Sequence, residues 1–125
     1  MNGEKYRIMG SVVQGKQLGR TIGFPTANIL PDAAPDVPHG VYAAWLTVDG
    51  RRHGCMVNIG HHPTLPEGAP TIEAHVFDFS GDLYGKRVLL ETAAFLRREQ
   101  KFPSVEALRA QLERDRLTAL ALLES

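Results

Sequence analysis

The segment at residues 14–28, QGKQLGRTIGFPTAN, has the composition of a phosphate-binding loop. Gly15, Gly19 and Gly23 recur at every fourth position, and Lys16 and Arg20 supply positive charge between them. Glycines let backbone N–H groups approach phosphate oxygens, and a neighbouring cation neutralises them. The spacing matches neither G-x-x-x-x-G-K-[ST] nor G-x-G-x-x-G, so a glycine-rich turn leading into a strand is an equally good interpretation.

The end of that segment, PTAN at residues 25–28, places a hydroxyl and an amide two positions apart. In an extended chain Thr26 and Asn28 would lie on one face. Their neutral oxygens could complete the coordination of a Mg²⁺ ion held mainly by water and nucleotide phosphates. Ordinary turn capping by Thr and Asn is the alternative, and it is the commoner outcome for this local pattern.

Glu73 is a carboxylate in the middle of a predicted strand, where we expect it to share one face with His75, Phe77 and Phe79. If that face is buried, Glu73 is a candidate general base. If the face is solvated, Glu73 is an ordinary surface residue, which is the commoner case.

A zinc site is a weaker hypothesis. The spacing of the available ligands fits neither paired C-x-x-C nor H-E-x-x-H. The candidate ligands are His53, Cys55, His61, His62 and His75.

Runs rich in β-branched and aromatic residues, bounded by turn residues, predict strands at 6–13, 40–48, 51–59, 71–79 and 86–96. Asp49 and Gly50 favour a tight hairpin turn between the second and third runs. Short turns imply antiparallel pairing, and five or six such strands cover one another best as a closed barrel or a small sandwich. Prolines in 30–39 and 63–70 predict loops.

The tail after Pro103 has helical rather than strand periodicity. Ser104 can cap the helix, and its apolar residues recur at spacings of three, four and seven. They are Val105, Leu108, Leu112, Ala119, Leu120 and Leu123. One helix is therefore expected to pack on the strands.

The length of 125 residues fits one domain, and 43% hydrophobic with 22% charged residues is a globular composition. Lys and Arg total 14, as do Asp and Glu, so no net charge attracts nucleic acid. A lone cysteine, Cys55, suits a reducing compartment, and no apolar run approaches the roughly 18 residues of a membrane span. A cytoplasmic protein without membrane or nucleic-acid partners is expected.

Four motifs then occur in a fixed order: GKQLGRTIGFPTAN, VNIGHHPT, IEAHVFDFSGDLYG and FLRREQKFPSVEAL. From Met9 to the C-terminal helix this set resembles the riboflavin kinase family, including the kinase module of bacterial bifunctional FAD synthetases. The resemblance implies a mainly β fold over residues 1–125, a six-stranded antiparallel Greek-key barrel with a C-terminal helix. It also implies Mg²⁺-dependent transfer of phosphate from ATP to the ribityl 5'-hydroxyl of riboflavin, giving FMN and ADP, by an enzyme expected to be monomeric.

The resemblance also assigns the nucleotide side of the site. Gly15 and Arg20 match loop positions that contact phosphates, while Thr26 and Asn28 match the metal-coordinating pair. Three further residues fall where the adenosine is held, namely Val76, Asp78 and Tyr84.

Glu73 matches the catalytic carboxylate of the family. His62 stands where members often carry Arg or Asn, and Arg98 where many carry Pro, so the flavin-side loop departs from the common pattern. Three residues fall where the flavin is gripped, namely Arg97, Gln100 and Phe102.

Two other functions compete with this interpretation. A non-catalytic flavin- or nucleotide-binding module would be expected to lack Glu73, Thr26 or Asn28, and all three are present. A barrel that binds single-stranded nucleic acid is disfavoured by the neutral net charge. No α/β nucleotidyltransferase module is visible, so either a monofunctional kinase or an excised kinase domain is expected.

Overall fold

The computed structural model describes residues 5–14, 23–61 and 70–124. It contains six strands followed by a helix, α1 (Val105–Leu123). The strands are β1 (Arg7–Val13), β2 (Ala27–Pro31), β3 (Gly40–Val48), β4 (Arg51–His61), β5 (Pro70–Val76) and β6 (Arg87–Arg97).

The strands form one closed barrel in the order β1-β2-β5-β4-β3-β6, and β1 also pairs with β6. Every pairing is antiparallel. β5 lies between β2 and β4, so the order departs from a simple meander. Closure leaves none of the six described strands with a free edge, and it confirms the expected six-stranded barrel.

Alternation along each strand separates an inner face from an outer face. In β5, Ile72 and Ala74 point inwards and are 1% and 0% exposed, whereas the half-buried Glu73 and His75 point outwards. The largest fully buried side chains of the interior include Leu46, Ile59, Ile72 and Leu90. The barrel therefore has a dry core, and chemistry must take place on its outer face or at its ends.

The helix packs on the outer face of the barrel, as expected. Ser104 caps it, since the Ser104 hydroxyl accepts a hydrogen bond from the Ala107 N–H at 3.1 Å. Val105 is 55% exposed, so the predicted apolar stripe does not include the first turn. The contact is made by Leu112, Ala119, Leu120 and Leu123 against Phe24, Ala43, Met56 and Phe77.

β2 was absent from the predicted strands, and Pro31 was assigned to a loop. In the structure Pro31 is the last residue of β2 and lies opposite Gly10. Proline has no N–H to donate to a neighbouring strand, so its presence argued against a strand at this position. The strand is also only 5 residues long, and its polar–apolar alternation is broken by Leu30, which is apolar but 60% exposed.

The predicted strand at 71–79 was too long. β5 ends at Val76, and Asp78 has a φ of 49°, in the left-handed region that turns the chain. Phe77 joins the apolar cluster under the helix, whereas Phe79 packs against the inner core. The expectation that Phe79 shares a face with Glu73 is therefore wrong.

A buried ion pair joins the helix to the end of β6. Asp115 is 4% exposed and lies on the apolar side of α1, between Leu112 and Ala119. Its carboxylate accepts hydrogen bonds from Arg97 Nε at 3.0 and 3.1 Å, from Arg97 Nη2 at 2.8 Å and from Gln111 Nε2 at 2.9 Å. Because both charges are largely withdrawn from water, each needs the other to offset the free-energy cost of its desolvation.

We predict that Asp115→Ala destabilises the fold by about 3 kcal/mol, because it leaves a largely buried guanidinium without its partner. Urea unfolding of the parent and the variant measures this difference. Asp32→Ala is the matched control, since Asp32 pairs with Arg87 where both side chains are about half exposed. Its unfolding midpoint should stay close to that of the parent. Equal midpoints for the two variants would contradict the prediction.

Candidate active site

Five residues that lie opposite one another form a row across the outer face of the barrel. Asn28 of β2 is paired with Glu73 of β5, and Glu73 is paired with Asn58 of β4. The row continues from Asn58 to Val41 of β3, and from Val41 to Arg97 of β6. Directly opposed residues on neighbouring strands are close enough for their side chains to interact. The row therefore brings together residues that are far apart in the sequence.

Thr26 completes the polar end of this row. Its hydroxyl lies 3.4 Å from Glu73 Oε1 and can donate a hydrogen bond to it. Thr26, Asn28 and Glu73 are all half-buried. The structure thus places the proposed metal-binding pair beside the proposed catalytic carboxylate, and the face that carries Glu73 is not fully solvated.

His75 holds the backbone directly before Thr26 in place. The β2–β5 pairing comprises only Ala27 with Ala74 and Asn28 with Glu73. Beyond it, His75 Nδ1 lies 2.8 Å from the carbonyl oxygen of Pro25, so the Nδ1–H must be the donor. The ring also contacts Phe24 and Phe77, with centroid separations of 5.2 and 5.7 Å. His75 therefore links β5 to the segment before β2, one position beyond the last backbone pair of these strands.

A first cavity of about 450 Å³ opens where β1 ends, β2 begins and β5 ends. Thr26, Asn28, Val76 and Tyr84, four of the predicted nucleotide-side residues, line it. Asp78 is exposed in the turn after β5 and is not among the lining residues. The other lining residues are Val12, Val13, Gln14, Pro25, Ala27, Ala74, Phe79, Gly81, Asp82 and Leu83.

A second cavity of about 340 Å³ lies between the outer face of the barrel, the segment after β6 and the helix. Thr26 and Glu73 line it together with the predicted flavin-side residues Arg97, Gln100 and Phe102. Its remaining walls are mostly apolar or aromatic, and they comprise Phe24, Val41, Met56, Val57, Asn58, His75, Glu99, Leu108 and Leu112. Because Thr26 lines both cavities, the two meet beside Glu73.

Arg97 is positioned by the helix rather than free in the cavity. Besides its bonds to Asp115, its Nη1 donates to the carbonyl of Arg98 at 3.1 Å, and the guanidinium lies 5.6 Å from the centroid of the Phe102 ring. Arg97 thus holds the segment after β6 against α1, and Phe102 with it.

Sequence reasoning missed two polar residues of the second cavity, Asn58 and Glu99. The Glu99 carboxylate lies directly over Gly60, where a side chain at position 60 would have to displace it. Both residues fall within the motifs VNIGHHPT and FLRREQKFPSVEAL, and that was the signal available in the sequence. Their spatial relation depends on strand register, which the motifs do not contain.

Some predicted site residues fall outside the described residues, namely Gly15, Arg20 and His62. Within the described ranges no group of three or more His, Cys, Asp or Glu side chains could hold a metal ion. Cys55 is buried, and burial raises the pKa of its thiol to about 12, which disfavours the thiolate that zinc requires.

The fold and the site define a small antiparallel barrel with a polar cavity and a largely apolar cavity that meet at Thr26, beside the carboxylate of Glu73. The family model for riboflavin kinase matches residues 2–123. The chain therefore belongs to the riboflavin kinase family.

Sequence and structure comparisons find relatives that are named as riboflavin kinases. A bifunctional riboflavin kinase/FMN adenylyltransferase from Haemophilus influenzae is 42% identical over 124 residues, which cover 98% of this chain and 40% of the relative. The chain thus spans less than half the length of that relative. Riboflavin kinase from Trypanosoma brucei superposes with a TM-score of 0.68 at 25% identity, over 97% of this chain and 81% of its own.

A second solved structure, a Streptococcus pneumoniae protein described as a macrolide-efflux protein, gives a TM-score of 0.82 at 31% identity. The match covers 90% of this chain and 38% of that protein. In the part of the present chain that the structure describes, no helix combines the length and apolar character needed to cross a membrane.

We predict that His75→Phe loosens the segment before β2, because it keeps an aromatic ring but loses the Nδ1–H donor to Pro25. Amide hydrogen exchange at residues 26 and 27 should accelerate about fivefold, as expected for one hydrogen bond of about 1 kcal/mol. His75→Asn is the control, since its amide N–H lies at a similar distance from the backbone and should preserve slow exchange. Exchange in His75→Phe that is as slow as in the parent would show that the hydrogen bond does not hold this segment.

Proposed function

We propose that this domain transfers the γ-phosphate of ATP to the ribityl 5'-hydroxyl of riboflavin, producing FMN and ADP with Mg²⁺ as the metal. The observation that carries the proposal is the position of Thr26, which lines both cavities and contacts Glu73. Phosphoryl transfer requires a phosphate donor and a hydroxyl acceptor to meet in line. Two cavities that join beside a carboxylate provide that arrangement.

The first cavity is the proposed nucleotide site. Val76 and Tyr84 line it at the positions assigned to adenosine, Asn28 also lines it, and Thr26 lies at its junction with the second cavity. On the family resemblance, Asp78 also supports the adenosine, and Gly15 and Arg20 contact the phosphates. Arg20 would neutralise phosphate charge, which is the main electrostatic requirement of the reaction.

Thr26 and Asn28 are the proposed Mg²⁺ ligands. Both offer neutral oxygens, both are half-buried on the side of the barrel that carries Glu73, and hard oxygen donors are what Mg²⁺ prefers. With few protein ligands the ion would keep water and phosphate oxygens in its coordination shell. When bound, Mg²⁺ would neutralise charge on the phosphates of ATP.

The second cavity is the proposed flavin site. Its walls are largely apolar and aromatic, which suits a planar ring system, and Phe102 is held in place through Arg97. Gln100 is the proposed polar contact to the ring, and Arg97 supports the segment that carries it. Glu73 lies where this cavity meets the first, so a ribityl chain directed towards Glu73 would present its terminal hydroxyl to the nucleotide.

Glu73 is the proposed general base. Its carboxylate would orient the 5'-hydroxyl and accept its proton as the new bond from oxygen to the γ-phosphorus forms and the bond from that phosphorus to the β-phosphate oxygen breaks. Thr26, at 3.4 Å from Oε1, would keep the carboxylate directed towards the junction. On the balanced charge and single cysteine we also propose a cytoplasmic location without nucleic-acid or membrane partners, and we propose that the protein is a monomer.

We predict that Glu73→Gln lowers kcat by at least about 100-fold, because the amide cannot accept the proton of the hydroxyl. The riboflavin Kd and the thermal unfolding midpoint should change little. Steady-state FMN formation, followed by chromatography, gives kcat.

The matched control for that experiment is Glu91→Gln. Glu91 is a half-buried carboxylate in β6 that pairs with Arg7 at 3.5 Å and lines neither cavity. Its kcat should equal that of the parent. Near-parental turnover in Glu73→Gln would exclude Glu73 as the base, and absence of FMN from the parent itself would favour a non-catalytic flavin-binding module.

We predict that Asn28→Ala raises the Mg²⁺ concentration needed for half-maximal activity by about tenfold or more, because one oxygen ligand is lost. Asn28→Asp, which retains an oxygen at that position, should keep most of the parental Mg²⁺ affinity. Activity is measured across a Mg²⁺ titration at saturating ATP. Identical titration curves for Asn28→Ala and the parent would contradict the assignment.

A further inference from the structure

Asn58 presents a buried acceptor that none of the contacts above explains. Its Oδ1 atom is shielded from solvent and has no hydrogen-bond partner among the described residues. A buried acceptor without a partner is costly, and native proteins retain such groups where a ligand, ion or water completes them. Asn58 lines the second cavity, so a ligand in that cavity is the natural partner.

The position of Asn58 in the cross-strand row limits what that ligand group can be. Asn58 lies directly opposite Glu73, and directly opposed residues have Cβ atoms about 4.5–5.5 Å apart. Neighbouring strands are about 4.8 Å apart, so Val41 and Arg97 lie successively further from Glu73 along the row. The row therefore changes from polar at Glu73 and Asn58 to apolar at Val41.

We propose that Asn58 is a substrate-binding residue whose carboxamide oxygen accepts a hydrogen bond from a ribityl hydroxyl next to the one that is phosphorylated. This inference rests on the proposed function. If Glu73 takes the terminal hydroxyl, the group within reach of Asn58 is the adjacent part of the polyol chain. The apolar ring system would then lie further along, over Val41 and the helix.

The chemistry of a carboxamide oxygen suits a hydroxyl donor. An amide oxygen accepts from a neutral hydroxyl without the desolvation cost that a second carboxylate beside Glu73 would bring. A site with a buried acceptor also discriminates against ligands that lack the matching donor, because the acceptor then stays unpaired. Asn58 would thus select flavins that carry a polyol side chain.

The test compares riboflavin with lumiflavin, which keeps the ring system but has a methyl group in place of the ribityl chain. Flavin fluorescence quenching gives both Kd values in the absence of ATP. Asn58→Leu, similar in size and shape to the parent residue, should raise the riboflavin Kd by at least about tenfold, the effect expected for a buried hydrogen bond. The lumiflavin Kd should stay within about twofold of the parent value.

Thr71→Val is the matched control. Thr71 lies on the same face of β5, two residues before Glu73, and its hydroxyl is also buried without a partner among the described residues. Thr71 does not line the second cavity, so its replacement should leave both Kd values unchanged. If Asn58→Leu does not fold, Asn58→Ala provides the same ratio of riboflavin to lumiflavin affinity.

Equal weakening of both flavins by Asn58→Leu would overturn the inference and indicate a structural role only, and no weakening of either would overturn it by showing that Asn58 does not contact the flavin. Activity of the parent is measured separately. A parent that binds riboflavin but makes no FMN overturns the proposed kinase function while the Asn58 comparison still decides the present inference. A parent that does not bind riboflavin overturns both.

Discussion

The pairing of β5 with β2 is the contact on which the barrel and its site both depend. It comprises two residue pairs, Ala27 with Ala74 and Asn28 with Glu73. On its inner side the two alanines continue the core, and on its outer side the amide and the carboxylate meet. Because β2 and β5 are distant in the sequence, closing this pair carries a large entropic cost that the buried core must offset. Fold closure and assembly of the site are therefore the same event.

The consequence for chemistry is that the proposed base, Glu73, and one proposed metal ligand, Asn28, lie on strands, and Thr26 lies directly before β2. Glu73 and Asn28 are held by backbone pairing, and Thr26 is held by its contact with Glu73. His75 holds the carbonyl of Pro25, the residue before Thr26. Positioning accounts for much of the catalysis of phosphoryl transfer, since the protein contributes little covalent chemistry. A rigid strand is a more accurate support for such groups than a connecting segment.

Sequence alone predicted five strands and the helix because alternation and helical spacing are local signals. It missed β2, which is short and ends in Pro31, and it extended β5 through Asp78, whose positive φ left no trace in the hydrophobic pattern. It also missed Asp115, although an acidic residue on an apolar helix face signals a buried partner. Asn58 became visible only through strand register, which no single motif encodes.

The ion pair between Arg97 and Asp115 also couples ligand binding in the second cavity to the docking of α1. Arg97 belongs to the wall of the second cavity, and its guanidinium is bonded to α1 rather than to the barrel. Any ligand that orders this wall must also favour the docked helix, and by linkage a docked helix favours the ligand. The 19 residues of α1 should therefore fluctuate least when the cavity is full, although most of the helix lies outside that cavity.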